Sequence, residues 1–190
     1  IQSGINSFGS VVMAAWTAYT KTDALTWMIS GAFGVAITTF VGQNYGAHKY
    51  DRVRQSVRVC MAMSIGTVGL LSLVIVLLRQ FIMGIYTTDA QVIETGSYIV
   101  SVIAPFAAIF MPVEIFAGTM RGMGDSLKPT VIICLSVCVV RVVWLATVVR
   151  RWHALILLCV CYPITWILAA GVFLYVYFHS FQKRLKEEHV

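Results

Sequence analysis

Apolar residues along this chain gather into five long runs, separated by short breaks rich in glycine, charge or amides. Each run is long enough to predict a helix. The first is expected over about residues 12–45, with Ser10 placed to cap it and its most apolar stretch from Ala24 to Val41. At about 1.5 Å per residue such a helix is near 50 Å long, more than one membrane crossing. Its outer turns, carrying Lys21 and Asp23, are therefore expected near or beyond one interface. The run stops at Gly42-Gln43-Asn44-Tyr45-Gly46, where Gly46 suits the left-handed conformation that ends a helix. The chain then turns abruptly basic, with Lys49, Arg52, Arg54 and Arg58.

A second helix is expected over about residues 51–85. Thr88-Asp89-Ala90-Gln91 then has the form of a capping box, which opens a third helix over about 89–120. Gly122, Gly124, Asp125 and Ser126 make the next turn. Pro129 opens a fourth helix over about 129–149, in a first turn where its missing N–H costs nothing. Arg150-Arg151-Trp152-His153 reads as a short connection, and a fifth helix follows over about 154–178. Residues 179–190 form a polar tail.

Composition decides what these helices are for. Of 190 residues, 59% are hydrophobic and only 12% charged, with a mean hydropathy of +0.83. A soluble domain is about 45–50% apolar and about 25% charged, so this chain cannot cover a water-facing surface. The expected class is an all-α, polytopic transmembrane helix bundle whose first partner is the lipid bilayer. The net charge of +6 does not point to nucleic acid, because the cations sit at the ends of apolar runs. If the five helices cross in turn, one side holds Lys49, Arg52, Arg54, Arg58, Arg121, Lys128, Lys183, Arg184 and Lys186. The other holds Arg79, Arg150 and Arg151. Nine against three makes the first side, with the carboxy-terminus, cytoplasmic; Arg150 and Arg151 run against that rule. Ile1 is not an initiator residue, and the chain is expected to be an internal start, a truncated frame or a fragment.

Several residues are out of place in a simple anchor. Pro105, Pro112 and Pro163 lie inside expected helices, each removing a backbone donor and leaving the carbonyls of Ser101, Ala108 and Cys159 to be satisfied otherwise. Glu114 and Arg141 stand in apolar surroundings, where a charge costs at least about 2.5 kcal/mol and faces a bundle interior or water. They are expected at similar depth. Two readings follow: a static Glu114–Arg141 ion pair, or a carboxylate whose proton or cation occupancy couples to movement. Lys21 and Asp23 are two apart and do not face each other on a helix; charge solvated at the outer end of a helix is the reading there. Gly31, Ala32, Gly34 and Ala36 allow another helix to approach closely. The five cysteines lie in apolar runs with no paired spacing and are expected as buried small hydrophobes. The four histidines are scattered, and no nucleophile, phosphate-binding or dinucleotide motif occurs. Neither a resident metal nor catalysis is expected.

Three motifs carry a family likeness. Val41-Gly42-Gln43-Asn44-Tyr45-Gly46-Ala47 with its basic sequel resembles the segment after the second helix of each half of the multidrug and toxic compound extrusion (MATE) family. Met120-Arg121-Gly122-Met123-Gly124-Asp125-Ser126 with Pro129 resembles that family's later connection, and Tyr162-Pro163-Ile164-Thr165-Trp166 a motif of its final helix. The resemblance implies five helices of a six-helix half, helices eight to twelve, with Ile1 to Gly9 as the tail of helix seven. It further implies antiport of organic cations, driven by Na+ or H+ entry, by alternating access across the plasma membrane, with no other cofactor. The missing amino-terminal bundle is an implied partner. Glu114 is then the coupling carboxylate with Arg141 as charge partner, Lys21 and Asp23 are cavity-mouth candidates, and Gln43 and Asn44 tie backbone groups at the inner end of helix eight. The alternatives are a lipid-linked oligosaccharide flippase, expected to carry more cavity arginines, and a non-transporting membrane fragment.

Overall fold

The structure is a computed structural model that describes Ile5, residues 8–152 and residues 154–181. Among these residues there is no strand. Helix α1 spans Ser10–Gly46, α2 Tyr50–Leu77, α4 Ala90–Gly122, α5 Leu127–Trp152 and α6 Leu155–His179; the short α3, Arg79–Tyr86, lies between α2 and α4. All but α3 are long and apolar enough to cross a membrane. The expected all-α bundle is therefore the observed fold. Most of Ile1 to Gly9, His153, and the tail from residue 182 with Lys183, Arg184 and Lys186 lie outside the described residues.

Helix ends depart from the sequence expectation where a better local solution exists. The expected second helix breaks at Leu78, whose backbone leaves helical geometry. Asp89, not Thr88, caps α4, its Oδ1 accepting from the Gln91 N–H at 2.9 Å. Ser10 makes no cap. The stretch Arg150–Trp152, expected as a connection, continues α5, since nothing in it breaks a helix. Gly46 does not take the left-handed turn; His48 does, at φ 57°. That position lets the Lys49 N–H reach the Asn44 carbonyl at 2.8 Å and the His48 N–H reach Tyr45 at 3.0 Å, the two-bond closure of a helix end. Gly46 comes two residues too early for it. Gly124, at φ 87°, makes the same closure after α4 through Asp125 to Met120 and Gly124 to Arg121, both at 3.0 Å. Asp125 then anchors α5, accepting from the Lys128 N–H at 3.2 Å and pairing with its ammonium at 2.7 Å.

Helix α4 is the centre of the bundle. In its apolar window 56% of the residues are buried, against 6% in α5. Helices α1 and α4 run parallel, with Gly34 against Glu114, Thr38 against Gly118 and Gly42 against Gly122. Small residues four apart on both helices let the backbones meet. The Thr38 hydroxyl reaches both the Gly34 carbonyl of its own helix, at 2.7 Å, and the Gly118 carbonyl across the interface, at 3.1 Å. Gly31, also expected at such a contact, faces open space.

Between Pro105 and Pro112, α4 tightens into a 3₁₀ segment, Ala104–Phe110. This resolves the missing donor of Pro112: the Ala108 carbonyl is taken by the Met111 N–H one residue earlier. The Ser72 hydroxyl on α2 donates to the Ala104 carbonyl. Pro163 is buried within α6.

Helix α5 packs mainly on α6 and leaves Leu127, Val131, Leu135, Val139, Val142 and Val143 exposed. Cys134 and Cys138 lie on this helix and are exposed too, contrary to the expected burial, whereas Cys159 and Cys161 are buried. A stripe of aliphatic side chains outside a bundle is the face expected against lipid or a further helix.

The α1–α4 contact yields a direct test. A Cβ on Gly122 would stand 2.6 Å from the Thr38 carbonyl oxygen and 3.0 Å from the Val41 Cβ, whereas one on Gly66 meets nothing. Gly122→Ala is expected to cost about 1–3 kcal/mol, and Gly66→Ala to leave stability unchanged or slightly raised. Thermal unfolding of the two variants in detergent checks this; equal behaviour would contradict the contact.

Candidate functional site

Glu114 opens the regular helix that follows the 3₁₀ segment, two residues after Pro112. Its side chain is 20% exposed and packs against the bare backbone of Gly34 on α1. It points toward α1. The only residue positioned to balance it among the described residues is Arg121, seven residues on along α4, whose Nη1 lies 3.9 Å from Oε1. That is a loose ion pair, with Arg121 36% exposed near the end of the helix.

Arg141 is not its partner. The expectation of a Glu114–Arg141 pair compared depth alone, and Arg141 lies on the side of α5 that faces α6. There its Nε donates to the Thr165 hydroxyl at 3.1 Å, and its guanidinium sits 4.1 Å from the Tyr162 ring centroid. A cation over an aromatic face is attracted to the ring's quadrupole. One guanidinium nitrogen, Nη2, is buried without a hydrogen-bond partner. Both residues that hold Arg141 flank Pro163, so the Tyr162-Pro163-Ile164-Thr165 motif is a seat for this arginine.

Lys21 and Asp23 part company. Lys21 is exposed, with its ammonium 5.8 Å from the Tyr86 ring centroid. Asp23 is not a solvated outer charge. It lines a recess with Tyr19, Thr22, Thr26, Ser72, Ile75, Ala104 and Ala107, at the level of the middle of α4. Its Oδ2 accepts from the Trp27 indole N–H at 2.7 Å. The expectation failed because this turn of α1 faces inward, across a recess from Ser72 and Ile75 of α2 and Ala104 and Ala107 of α4.

The sequence reading also missed a stripe. Tyr19, Thr22, Asp23, Thr26 and Ser30 recur at helical spacing and form one inward face of α1. The 3.6-residue period is visible in the sequence, but of these residues only Asp23 had been singled out. Below Ser30 the same face becomes Gly34, Thr38 and Gly42. Aromatic rings close the other side of the recess, with Trp27 4.9 Å from Phe110 and Phe110 5.9 Å from Trp166, centroid to centroid.

At the end of α1, Asn44 is buried and its amide donates to the Phe40 carbonyl at 2.8 Å, while Gln43 is exposed. Gly42 and Gly122 face each other, so part of each motif serves the helix contact. A wider concavity of about 590 Å³ lies elsewhere, between α1 and α2, with Phe33, Phe40, Met63 and Arg52 in its wall. None of the expected site residues lines it.

The arrangement is that of a bundle with a semi-buried carboxylate at its tightest helix contact and a second acid in an aromatic-walled recess. The chain is similar to the "Probable multidrug resistance protein YoeA" of Bacillus subtilis, 26% identical over 130 residues, 68% of this chain and 28% of that protein. It is also 26% identical over 146 residues to the "Probable multidrug resistance protein NorM" of Thermotoga maritima, 73% of this chain and 32% of that one. The crystal structure of the Vibrio cholerae MATE transporter VcmN in the bent form superposes with a TM-score of 0.83 at 18% identity, covering 98% of this chain and 42% of that one. The chain thus spans about a third of the length of these curated relatives, and its helices follow a MATE fold. The MatE family profile matches residues 2–147, and with that match over most of its length the chain belongs to the MatE family.

Proposed function

We propose that this chain is the carboxy-terminal part of a secondary active transporter that expels organic cations across the plasma membrane in exchange for Na+ or H+. The family is one of transporters, and the relatives above carry multidrug-resistance names. The amino-terminal bundle of a full-length protein would complete the cavity. The excess of cations at the end holding Lys49, Arg121 and Lys128 supports a cytoplasmic position for that end and for the carboxy-terminus.

The observation that carries the reading is the seat of Glu114. Ionised, the carboxylate is attracted to Arg121 and held on the Gly34 backbone, which ties α1 to the lower half of α4. Neutralised by a proton or a bound cation, it loses that attraction, while the Gly118 and Gly122 contacts below it remain. A charge change at this point therefore biases the angle between two helices whose backbones otherwise touch. Binding can shift a two-state equilibrium only by its differential affinity for the two states; Glu114 supplies the difference through Arg121. Arg141, by contrast, keeps α5 on α6 in either state.

Two variants in the full-length protein test this. Glu114→Gln keeps the shape and removes the charge, and is expected to abolish organic-cation dye efflux from cells while the protein is still made and inserted. Wild-type efflux in that variant removes Glu114 from the mechanism. Gly34→Ala sets a methyl group where the carboxyl now lies and is expected to reduce efflux. An undiminished efflux in Gly34→Ala contradicts the contact as the coupling element.

A further inference from the structure

We propose that the concavity between α1 and α2 is a binding site for one anionic phospholipid, with an acyl chain along its apolar wall and the phosphate on Arg52. A gradient along one face of α2 carries the proposal. Arg52, Gln55 and Ser56 line the concavity at the end near the α1–α2 turn, and Val59, Cys60 and Met63 continue it deeper along the helix. These positions recur at three- and four-residue steps, so they share one side of α2. Across from them α1 contributes Phe33, Ala36 and Phe40, spaced in the same way. None of these groups belongs to the Glu114 contact or to the seat of Arg141.

The polar end is built for an anion. Between residues 47 and 58 the chain carries four cations, Lys49, Arg52, Arg54 and Arg58, against one acid, Asp51. Asp51 pairs with Arg54 at 3.5 Å. Among the described residues Arg52 makes no ion pair, and it stands exposed beside Gln55 on the same face. A guanidinium offers a fixed fork of N–H donors that matches a phosphate group, and the Gln55 amide adds two more donors. The Ser56 hydroxyl gives its proton to the Val53 carbonyl at 2.8 Å, so it is no phosphate donor. Basic pockets between membrane helices at a cytoplasmic end are places where anionic headgroups bind.

The apolar end has the length of a lipid chain. From Arg52 to Met63 the face runs eleven residues, about 16 Å at helical rise. That is close to one leaflet of a hydrocarbon core about 30 Å thick. The volume of about 590 Å³ falls within the range of about 300–1,000 Å³ found for small-ligand sites. Phe40, Val59 and Met63 are exposed on its wall.

Charge and shape together select the occupant. A phospholipid answers both ends with one molecule. A free phosphate ion leaves the apolar wall uncovered, and an apolar helix leaves the Arg52 guanidinium without a partner. The surplus of cations around the mouth favours a headgroup with no cation of its own, such as phosphatidylglycerol, over phosphatidylcholine.

The test reads a binding equilibrium and does not depend on transport. The purified full-length protein, freed of lipid in detergent, is titrated with dioleoyl phosphatidylglycerol, dioleoyl phosphatidylcholine or inorganic phosphate. Thermal midpoint and native mass spectrometry are read together. Phosphatidylglycerol is expected to raise the midpoint saturably and to bind about tenfold more tightly than phosphatidylcholine, and inorganic phosphate to leave the midpoint unchanged. Arg52→Gln, at an exposed position, weakens phosphatidylglycerol binding about tenfold and removes the preference. Ala36→Trp, also from an exposed position, fills the groove and weakens both lipids. Phosphatidylglycerol with a diazirine on its acyl chain marks the peptides holding Phe33 to Phe40 and Val59 to Met63. Glu114→Gln binds lipid like the wild type, so failure of the coupling mechanism is visible separately. The proposal is overturned if the wild type shows no preference for phosphatidylglycerol, if Arg52→Gln keeps that preference, or if the acyl label falls elsewhere. Inorganic phosphate acting as strongly as the lipid makes this an anion site alone and overturns the lipid as occupant. A groove filled by another helix of the full-length protein leaves Phe33 and Met63 unlabelled, which overturns it too. Should Ala36→Trp not fold, Arg52→Gln and the label decide.

Discussion

The backbone-to-backbone approach of α1 and α4 is the constraint from which the rest of this bundle follows. In hydrocarbon, burying apolar side chains provides little drive for two helices to associate, and close packing with interhelical hydrogen bonds takes its place. Gly118 and Gly122 on α4 remove the side chains that would hold the helices apart, and Thr38 spans the gap to the Gly118 carbonyl. The same absence of a side chain at Gly34 leaves a volume one step up the interface. Glu114 occupies it. The acid is thus half-buried by the geometry that holds the two helices together, and the cation paired with it among the described residues, Arg121, lies toward the helix end.

Above this contact α4 changes its winding, and the change has chemical consequences. The two prolines cost the helix regular donors, the 3₁₀ turn between them recovers one, and a serine from α2 serves another carbonyl. The outcome is a stretch of α4 that is satisfied yet irregular, lying against the polar face of α1. Polar groups of α1 at Tyr19, Thr22, Asp23 and Thr26 therefore meet a part of α4 where backbone and hydroxyl oxygens are gathered. One helix pair holds an acid at each of two levels, in two different environments. The lower acid is paired loosely with an arginine, and the upper is surrounded by hydroxyls and rings.

Much of this was legible in the sequence because hydrophobic run length and family motifs are strong signals. The five spans, the breaks near Gly46 and Gly124, and the family followed from them. Pairing was not legible. Glu114 and Arg141 were compared by depth, and depth does not say which face of a helix a residue is on; Arg141 belongs to Tyr162 and Thr165. Asp23 was judged by its distance from the helix end, and only the tertiary packing of α1 on α4 shows that this turn is inside. The left-handed cap fell to His48, because the two closing hydrogen bonds choose the position and a histidine tolerates it. Exposure of Cys134 and Cys138 likewise depended on how few helices cover α5, which composition does not record.

The central claim is that Glu114 lies inside the protein at a glycine-lined helix contact. A cryo-electron microscopy map of the full-length protein in lipid nanodiscs, at side-chain resolution, tests it most directly. The account predicts the Glu114 carboxyl resting on the Gly34 backbone, with the Thr38 hydroxyl bonded to the Gly118 carbonyl. A map in which side chains separate α1 from α4 and Glu114 faces lipid would contradict it.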